Sequence, residues 1–151
     1  PFQGYWKDGG TISSLWEANM DLLGNPPRFN IHDKTWRFYS RTPAQPAHYI
    51  GKGAVLSSSM ITEGCEIYGT VENSVIFSGV HIAPGAVVRD SVIMRDVTIE
   101  EGAVVGENPE KCDNLENWGV SVVGAGVTVG KNARVKAQSM ISEDVKEGET
   151  V

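Results

Sequence analysis

The sequence predicts an all-β fold: a parallel β-helix of six-residue repeats, preceded by a short α-helix and a proline-rich connector. Three observations carry this prediction. Aliphatic residues recur at Ile50, Leu56, Ile61, Ile67, Ile76, Ile82, Val88, Ile93, Ile99, Val105, Val129, Val135 and Ile141, mostly six residues apart and sometimes five. Two places before nearly every one stands a slimmer residue: Ala54, Ser59, Cys65, Ser74, Val80, Ala86, Ser91, Val97, Ala103, Val127, Ala133 and Ser139. Glycine sits three places before at Gly53, Gly64, Gly79, Gly85, Gly102 and Gly126. Positions two apart on an extended strand share a face, so each repeat turns one large and one small side chain inward. Glycine reaches the positive φ of a sharp corner without a Cβ clash. Three such edges close a triangular coil of about 18 residues, and stacked coils bury a column of Ile, Val and Leu between parallel strands. An antiparallel sandwich would not hold large, small and glycine in one six-residue phase.

The elements follow in order. Residues 1–23 lack the repeat. Within them Ile12 to Leu23 reads as an amphipathic helix, with Ser14 and Glu17 at capping-box spacing and Leu15, Trp16, Met20, Leu22 and Leu23 on its apolar side. Residues 24–49 form a connector with Pro26, Pro27, Pro43 and Pro46 interleaved with Phe29, Trp36, Phe38, Tyr39 and Tyr49. Proline limits regular helix there, and Trp36 to Tyr39 suits an extended segment packed on a neighbour. Residues 50–151 carry the repeat. An irregular loop is expected at 106–122, where the aliphatic phase lapses in a run rich in Asn, Glu and Asp, and the beat weakens again after Glu143.

Bulk properties narrow the function. With 19 acidic against 13 basic residues and a formal charge of −6, the chain repels phosphate backbones, so nucleic acid is not an expected partner. No apolar run is long enough to span a bilayer and the amino end lacks a secretory pattern, so no membrane partner is expected either. Two distant cysteines, Cys65 and Cys112, form no disulfide framework or metal quartet, which points to a reducing compartment and a cytoplasmic protein. Cys65 occupies a small inward slot and reads as core; Cys112 falls in the irregular loop. A chain that opens with Pro1 rather than methionine is expected to be a fragment.

The segment Tyr5-Trp6-Lys7-Asp8-Gly9-Gly10-Thr11, followed by Trp16-Glu17-Ala18-Asn19, resembles the end of the nucleotidyltransferase domain of bacterial glucose-1-phosphate adenylyltransferases, where Y-W-x-D-V-G-T precedes a helix containing W-E-A-N. The resemblance extends over nearly the whole chain, and Gly9 departs from the family's valine. It implies that residues 1–23 close the nucleotidyltransferase domain, that 24–49 link it to a β-helix domain, and that Asp8 helps hold the catalytic Mg²⁺. A hard oxygen ligand suits that ion. Read without the resemblance, Asp8 is a turn residue. The run Asp33 to Pro43 resembles the family's linker. The resemblance places Arg37 and Arg41 in the region where the family binds a phosphorylated sugar effector, although solvated or ion-paired arginines are the plainer reading. The hexapeptide repeats themselves resemble the left-handed β-helix family, so the expected hand is left, against the usual crossover rule.

What the resemblance implies is the oligomerising and allosteric C-terminal part of an enzyme that converts ATP and glucose 1-phosphate to ADP-glucose and pyrophosphate in glycogen biosynthesis, assembled as a homotetramer. The Gly-rich phosphate loop and sugar-phosphate pocket are absent from these residues, so the fragment alone is expected to be inactive. Two alternatives stand beside it. One is a non-catalytic regulatory subunit of the same enzyme. The other is a trimeric hexapeptide acyltransferase, in which His81 would be the general base toward a thioester, although its phase points it outward beside an anchor.

Overall fold

The structure, a computed structural model, describes residues 1–39, 44–111 and 119–151. One helix, α1 (Ile12–Met20), precedes fifteen short strands. The strands form three parallel five-stranded sheets, the three faces of a solenoid. The first face stacks β1 (Tyr49–Ile50), β4 (Glu66–Ile67), β7 (His81–Ile82), β10 (Thr98–Ile99) and β13 (Thr128–Val129). The second stacks β2 (Val55–Ser57), β5 (Thr70–Glu72), β8 (Val87–Arg89), β11 (Val104–Val105) and β14 (Arg134–Val135). The third stacks β3 (Met60–Ile61), β6 (Val75–Ile76), β9 (Ser91–Ile93), β12 (Ser121–Val123) and β15 (Met140–Ile141). The parallel β-helix expected from the repeat is the fold observed.

Register aligns the anchors into columns. Ile50, Ile67, Ile82, Ile99 and Val129 are successive partners on the first face. Leu56, Val71, Val88, Val105 and Val135 are partners on the second. Ile61, Ile76, Ile93, Val123 and Ile141 complete the third. From Ile67 to Val135 all of these are sealed from water, as are the slim inward residues Cys65, Ser74, Val80, Ala86, Ser91, Val97, Ala103, Val127 and Ala133. Each buried Ile or Val contributes about 1.5–3 kcal/mol by removing apolar surface from water. The first coil has a neighbour on one side only, so Ile50 and Leu56 remain 38% and 40% exposed.

The coils are tighter than the six-residue beat implies. Glu66 and His81, facing partners, lie 15 residues apart, and the stacked corner serines Ser74 and Ser91 lie 17 apart. The step onto the third face is the short one, as from Val71 to Ile76 and from Val88 to Ile93. One anchor, Val71, falls outside the regular series. The irregular segment is also narrower than 106–122: the Gly106 N–H still donates to Val135 O, and Ser121 to Val123 pair in register with Ser91 to Ile93. Between them lies a 3₁₀ turn at Pro109–Lys111. Cys112 is outside the described residues.

Most corners use the left-handed region; the turn at Tyr68-Gly69 before Val71 does not. The expected glycines have it, for example Gly85 at φ +75°. The same place, three before an anchor, is held elsewhere by Ser58, Asn73, Asp90, Asp96, Asn132 and Gln138, with φ from +42° to +63°. Asn and Asp tolerate that conformation because their side chains bond locally, so the corner is a backbone requirement that several residue types meet.

Helix α1 ends earlier than Leu23 and is capped differently from the expected Ser14–Glu17 box. Thr11 is the N-cap: its hydroxyl accepts from Ser14 N–H at 3.1 Å, and Ser14 Oγ accepts from Thr11 N–H at 3.0 Å. That reciprocal pair satisfies two donors that a helix start leaves open. After Met20 the bonds shorten to i−3, from Leu22 and Leu23, and Gly24 at φ +105° turns the chain. The helix lies on the outside of the third face. Ile12, Trp16 and Met20 pack there against Val75, Val92 and Val120, with Met60, Phe77, Met94 and Val122 around them.

Candidate functional site

Asp8 lies on the surface, in the segment that leads into α1. Its Oδ1 accepts from the Gly10 N–H at 3.1 Å, the local turn bond that a short acid makes two residues on. Its other oxygen makes no hydrogen bond among the described residues. No cluster of three or more His, Cys, Asp or Glu forms among the described residues, so Asp8 is a single, solvent-facing carboxylate. Such a group fits Mg²⁺, which is held through one or two carboxylates with phosphates and water completing the shell.

The Asp8 segment is tied to α1 by charge. Lys7 Nζ lies 2.8 Å from Glu17 Oε2 and 3.5 Å from Asp21 Oδ2, and the Glu17 carboxylate holds its ammonium above the usual lysine value. The Tyr5 hydroxyl donates to Asp21 Oδ2 at 3.2 Å, and Arg28 reaches Asp21 Oδ1 at 3.2 Å. Partial burial, followed by the bond to Asp21, raises the Tyr5 phenol. Helix α1 is tied in turn to the solenoid: the Trp16 indole N–H donates to the Asn73 carbonyl at 2.6 Å, in a half-buried setting.

Arg37 stands in a shallow surface hollow with His32, Lys34 and Phe38, next to Asp33. Asp33 is spoken for, since Thr35 donates to it through both its N–H, at 2.8 Å, and its hydroxyl, at 2.7 Å, and these bonds hold its carboxyl below the usual range. Those bonds keep Asp33 ionised, so its charge offsets one of the two cations Lys34 and Arg37 and the hollow keeps a small basic excess, which suits an anion. Arg41 lies outside the described residues. The stretch from Trp36 is no strand. It joins an aromatic chain instead: Tyr5 stacks on Phe29 at 5.3 Å, Phe29 meets Phe38 edge-on at 5.6 Å, and Phe38 stacks on Trp36 at 5.7 Å. That chain links the Asp8 and Arg37 segments. Its only signal in the sequence was the interleaving of aromatics with prolines. Phe38 and Trp36 stay 53% and 68% exposed.

His81 faces outward on β7. Its Nδ1 lies 3.3 Å from Glu66 Oε2 and its ring leans on Tyr68 at 5.6 Å. Thr98 is its strand neighbour on the other side, and Glu100, Glu101 and Lys131 line the same shallow hollow, but no hydrogen bond joins Thr98 to the imidazole among the described residues. Cys65 is core as expected: its thiol reaches Phe77 O at 3.1 Å, and burial pushes its pKa up, away from reactivity.

Comparison with known proteins matches residues 43–108 to the family described as GlmU-like, C-terminal hexapeptide. A glucose-1-phosphate adenylyltransferase of Acetivibrio thermocellus is 42% identical over 147 residues, 96% of this chain and 31% of that protein. The enzymes of that name from Clostridium perfringens and Bacillus mycoides are 54% identical over 100 residues and 49% over 108. These two alignments cover 66% and 72% of this chain, and 26% and 27% of the relatives. The chain thus spans at most about a third of the curated relatives it matches.

Proposed function

This chain is homologous to the C-terminal portion of glucose-1-phosphate adenylyltransferases, and from that premise we propose that it is the oligomerising and allosteric part of such an enzyme. The observation that carries the reading is identity of 42% along 96% of the chain, including both the Asp8 segment and the solenoid. The reaction joins ATP and glucose 1-phosphate. A phosphate oxygen of the sugar attacks the α-phosphorus of ATP in line, the α–β phosphoanhydride bond breaks, and pyrophosphate leaves with the electron pair. Bound Mg²⁺ would neutralise charge on the phosphates. The role for this chain's residues is narrow: Asp8 offers one carboxylate oxygen at the edge of the site, Lys7 anchors its segment to α1, and the rest of the machinery lies in other residues.

The first and second faces of the solenoid, which α1 leaves open, suit contacts between subunits, as a homotetramer requires. Arg37, with His32 and Lys34 beside it, suits a phosphorylated sugar effector, and Arg41 is assigned to the same role by resemblance. Among the described residues no helix is long and apolar enough to cross a membrane. The assignment to the cytoplasm rests on the scarcity of cysteine.

The test uses the full-length polypeptide that contains this chain. Incubated with ATP, glucose 1-phosphate and Mg²⁺, it should release ADP-glucose and pyrophosphate in equal amounts, and Asp8→Asn should lower that rate by about 100-fold or more, as loss of a metal ligand does. A protein silent alone that alters the rate of an active homologue would be a regulatory subunit. A trimer by light scattering that transfers acyl groups from coenzyme A would overturn the reading.

A further inference from the structure

Helix α1 touches both the Asp8 segment and the solenoid, and few contacts hold it at either end. None of its residues is fully buried. On the solenoid side, the apolar contacts of Ile12, Trp16 and Met20 are joined by one directional bond, the 2.6 Å link from Trp16 Nε1 to the Asn73 carbonyl. Asn73 is itself fixed. It occupies a left-handed corner at φ +47°, its N–H donates to Ser57 O at 3.1 Å, and its side chain bonds the carboxyl of Asp90 in the corner above. On the other side, Lys7, next to Asp8, is gripped by Glu17 and Asp21, from the helix and its C-cap. Glu17 follows Trp16 directly, so the two attachments are one residue apart along the helix.

All four methionines of the chain, Met20, Met60, Met94 and Met140, lie around this seat. Methionine is an unbranched, adaptable filler, so the packing defines the helix position loosely and leaves the directional bond to fix it. A groove beside the helix, lined by Trp16, Glu17, Val120, Gln138 and Met140, leaves room for the helix to shift if that bond is lost.

We propose that Trp16 is a positioning residue for Asp8: through its bond to Asn73, α1 acts as a strut that sets the metal carboxylate relative to the solenoid corner. This rests on the proposed role of Asp8 in holding Mg²⁺. The strut gives a physical route by which a change at the corner ladder alters metal affinity without any contact between the two.

In the full-length polypeptide, Trp16→Phe keeps an aromatic ring on the seat and removes the N–H. The Mg²⁺ concentration for half-maximal activity should rise by about three- to tenfold, the scale of one hydrogen bond acting behind a ligand, with kcat at saturating Mg²⁺ within about twofold. Amide exchange should quicken over residues 5–11 and stay unchanged over 65–105. Glu17→Gln, which weakens the grip on Lys7 and leaves the seat intact, should move the same two readouts in the same direction. Unchanged Mg²⁺ dependence and exchange in both variants overturns the proposal. Faster exchange across the solenoid as well would make Trp16 a fold-holding residue and also overturn it. If the polypeptide forms no ADP-glucose at all, the functional reading falls, while the exchange comparison still decides whether the strut exists.

Discussion

The backbone N–H of Ser91 donates to the hydroxyl of Ser74 at 3.2 Å, one coil earlier, as Ser74 N–H does to Ser59 Oγ at 3.1 Å. Each of these hydroxyls in turn donates to a carbonyl two residues back, Ser59 to Ser57 O and Ser74 to Glu72 O, both at 2.7 Å. Serine fills the slim inward place before the third face in all five coils, at Ser59, Ser74, Ser91, Ser121 and Ser139. At Ser59 and Ser74 the hydroxyl thus carries hydrogen bonding around the corner, and among the described residues no buried side-chain polar atom is left without a partner.

Ser74→Ala removes an acceptor from the buried Ser91 N–H and should cost about 1–3 kcal/mol. Ser139→Ala, whose hydroxyl makes only a 3.5 Å contact near the end of the stack, should cost under about 0.5 kcal/mol. Chemical denaturation of the two variants side by side checks this. Equal losses would mean that the ladder carries no stability of its own.

Two glycines between strands, Gly85 with positive φ and Gly69 without it, should respond in opposite ways. Gly85 sits at φ +75° with open space around its Cα, the nearest atom to an added Cβ being Gly102 N at 3.8 Å. Asn already fills equivalent corners at Asn73 and Asn132, so Gly85→Asn should change stability by less than about 1 kcal/mol. A Cβ on Gly69 would instead run into Ala86 O and lie 2.9 Å from Ala83 O. Backbone cannot yield there, so Gly69→Ala should cost about 2–4 kcal/mol. Thermal melts of both variants decide, and a tolerated Gly69→Ala would mean that the coils slide more freely than the register implies.

The large and slim positions were legible because burial on a solenoid repeats with the chain: Ile82 and Val80, or Val105 and Ala103, keep one spacing and one environment. Val71 escaped that reading because it follows a departure from the six-residue step, a shortened edge between the first and second faces. The corners at Asn73, Asp90 and Asn132 escaped because only glycine was taken as a sign of positive φ. The site was less legible than the fold. Lys7 meets Glu17 and Trp16 meets Asn73 only after the helix has been laid on the third face. That docking depends on Val75, Val92 and Val122, outward residues from three different coils that no local pattern brings together.

Arg37 offers a direct test of the effector role. If it holds a phosphate group, Arg37→Ala in the full-length polypeptide should raise the half-saturating concentration of a phosphorylated sugar effector by about tenfold, the value of one charged hydrogen-bond pair, and leave the rate without effector unchanged. Lys34→Ala should act more weakly, because an ammonium makes no bidentate contact. An effector response unaltered by either change would return Arg37 to the solvated linker arginine that is its plainer reading.

Asp90 sets the acid dependence. It is 3% exposed, at a corner with φ +42°, and burial raises its carboxyl above the ordinary value, with the bond from the Asn73 side chain opposing that rise only in part. Folding therefore favours its protonated form. Below the unfolded value of about 3.8 both states hold the proton and no cost arises. As pH rises past that point the unfolded chain releases its proton first, so stability falls until the folded carboxyl ionises, and a constant penalty remains above. Asn at this place keeps an acceptor for Asn73, carries no charge and tolerates the left-handed corner. The melting temperature of Asp90→Asn should then match the parent near pH 3.5 and exceed it at pH 7, with the gap opening over the acidic range. The other titrating groups are common to both proteins and cancel in the difference. A gap that stays constant with pH, or an Asn variant that melts lower at neutrality, would show that the ionised carboxylate is stabilised in the corner rather than penalised there.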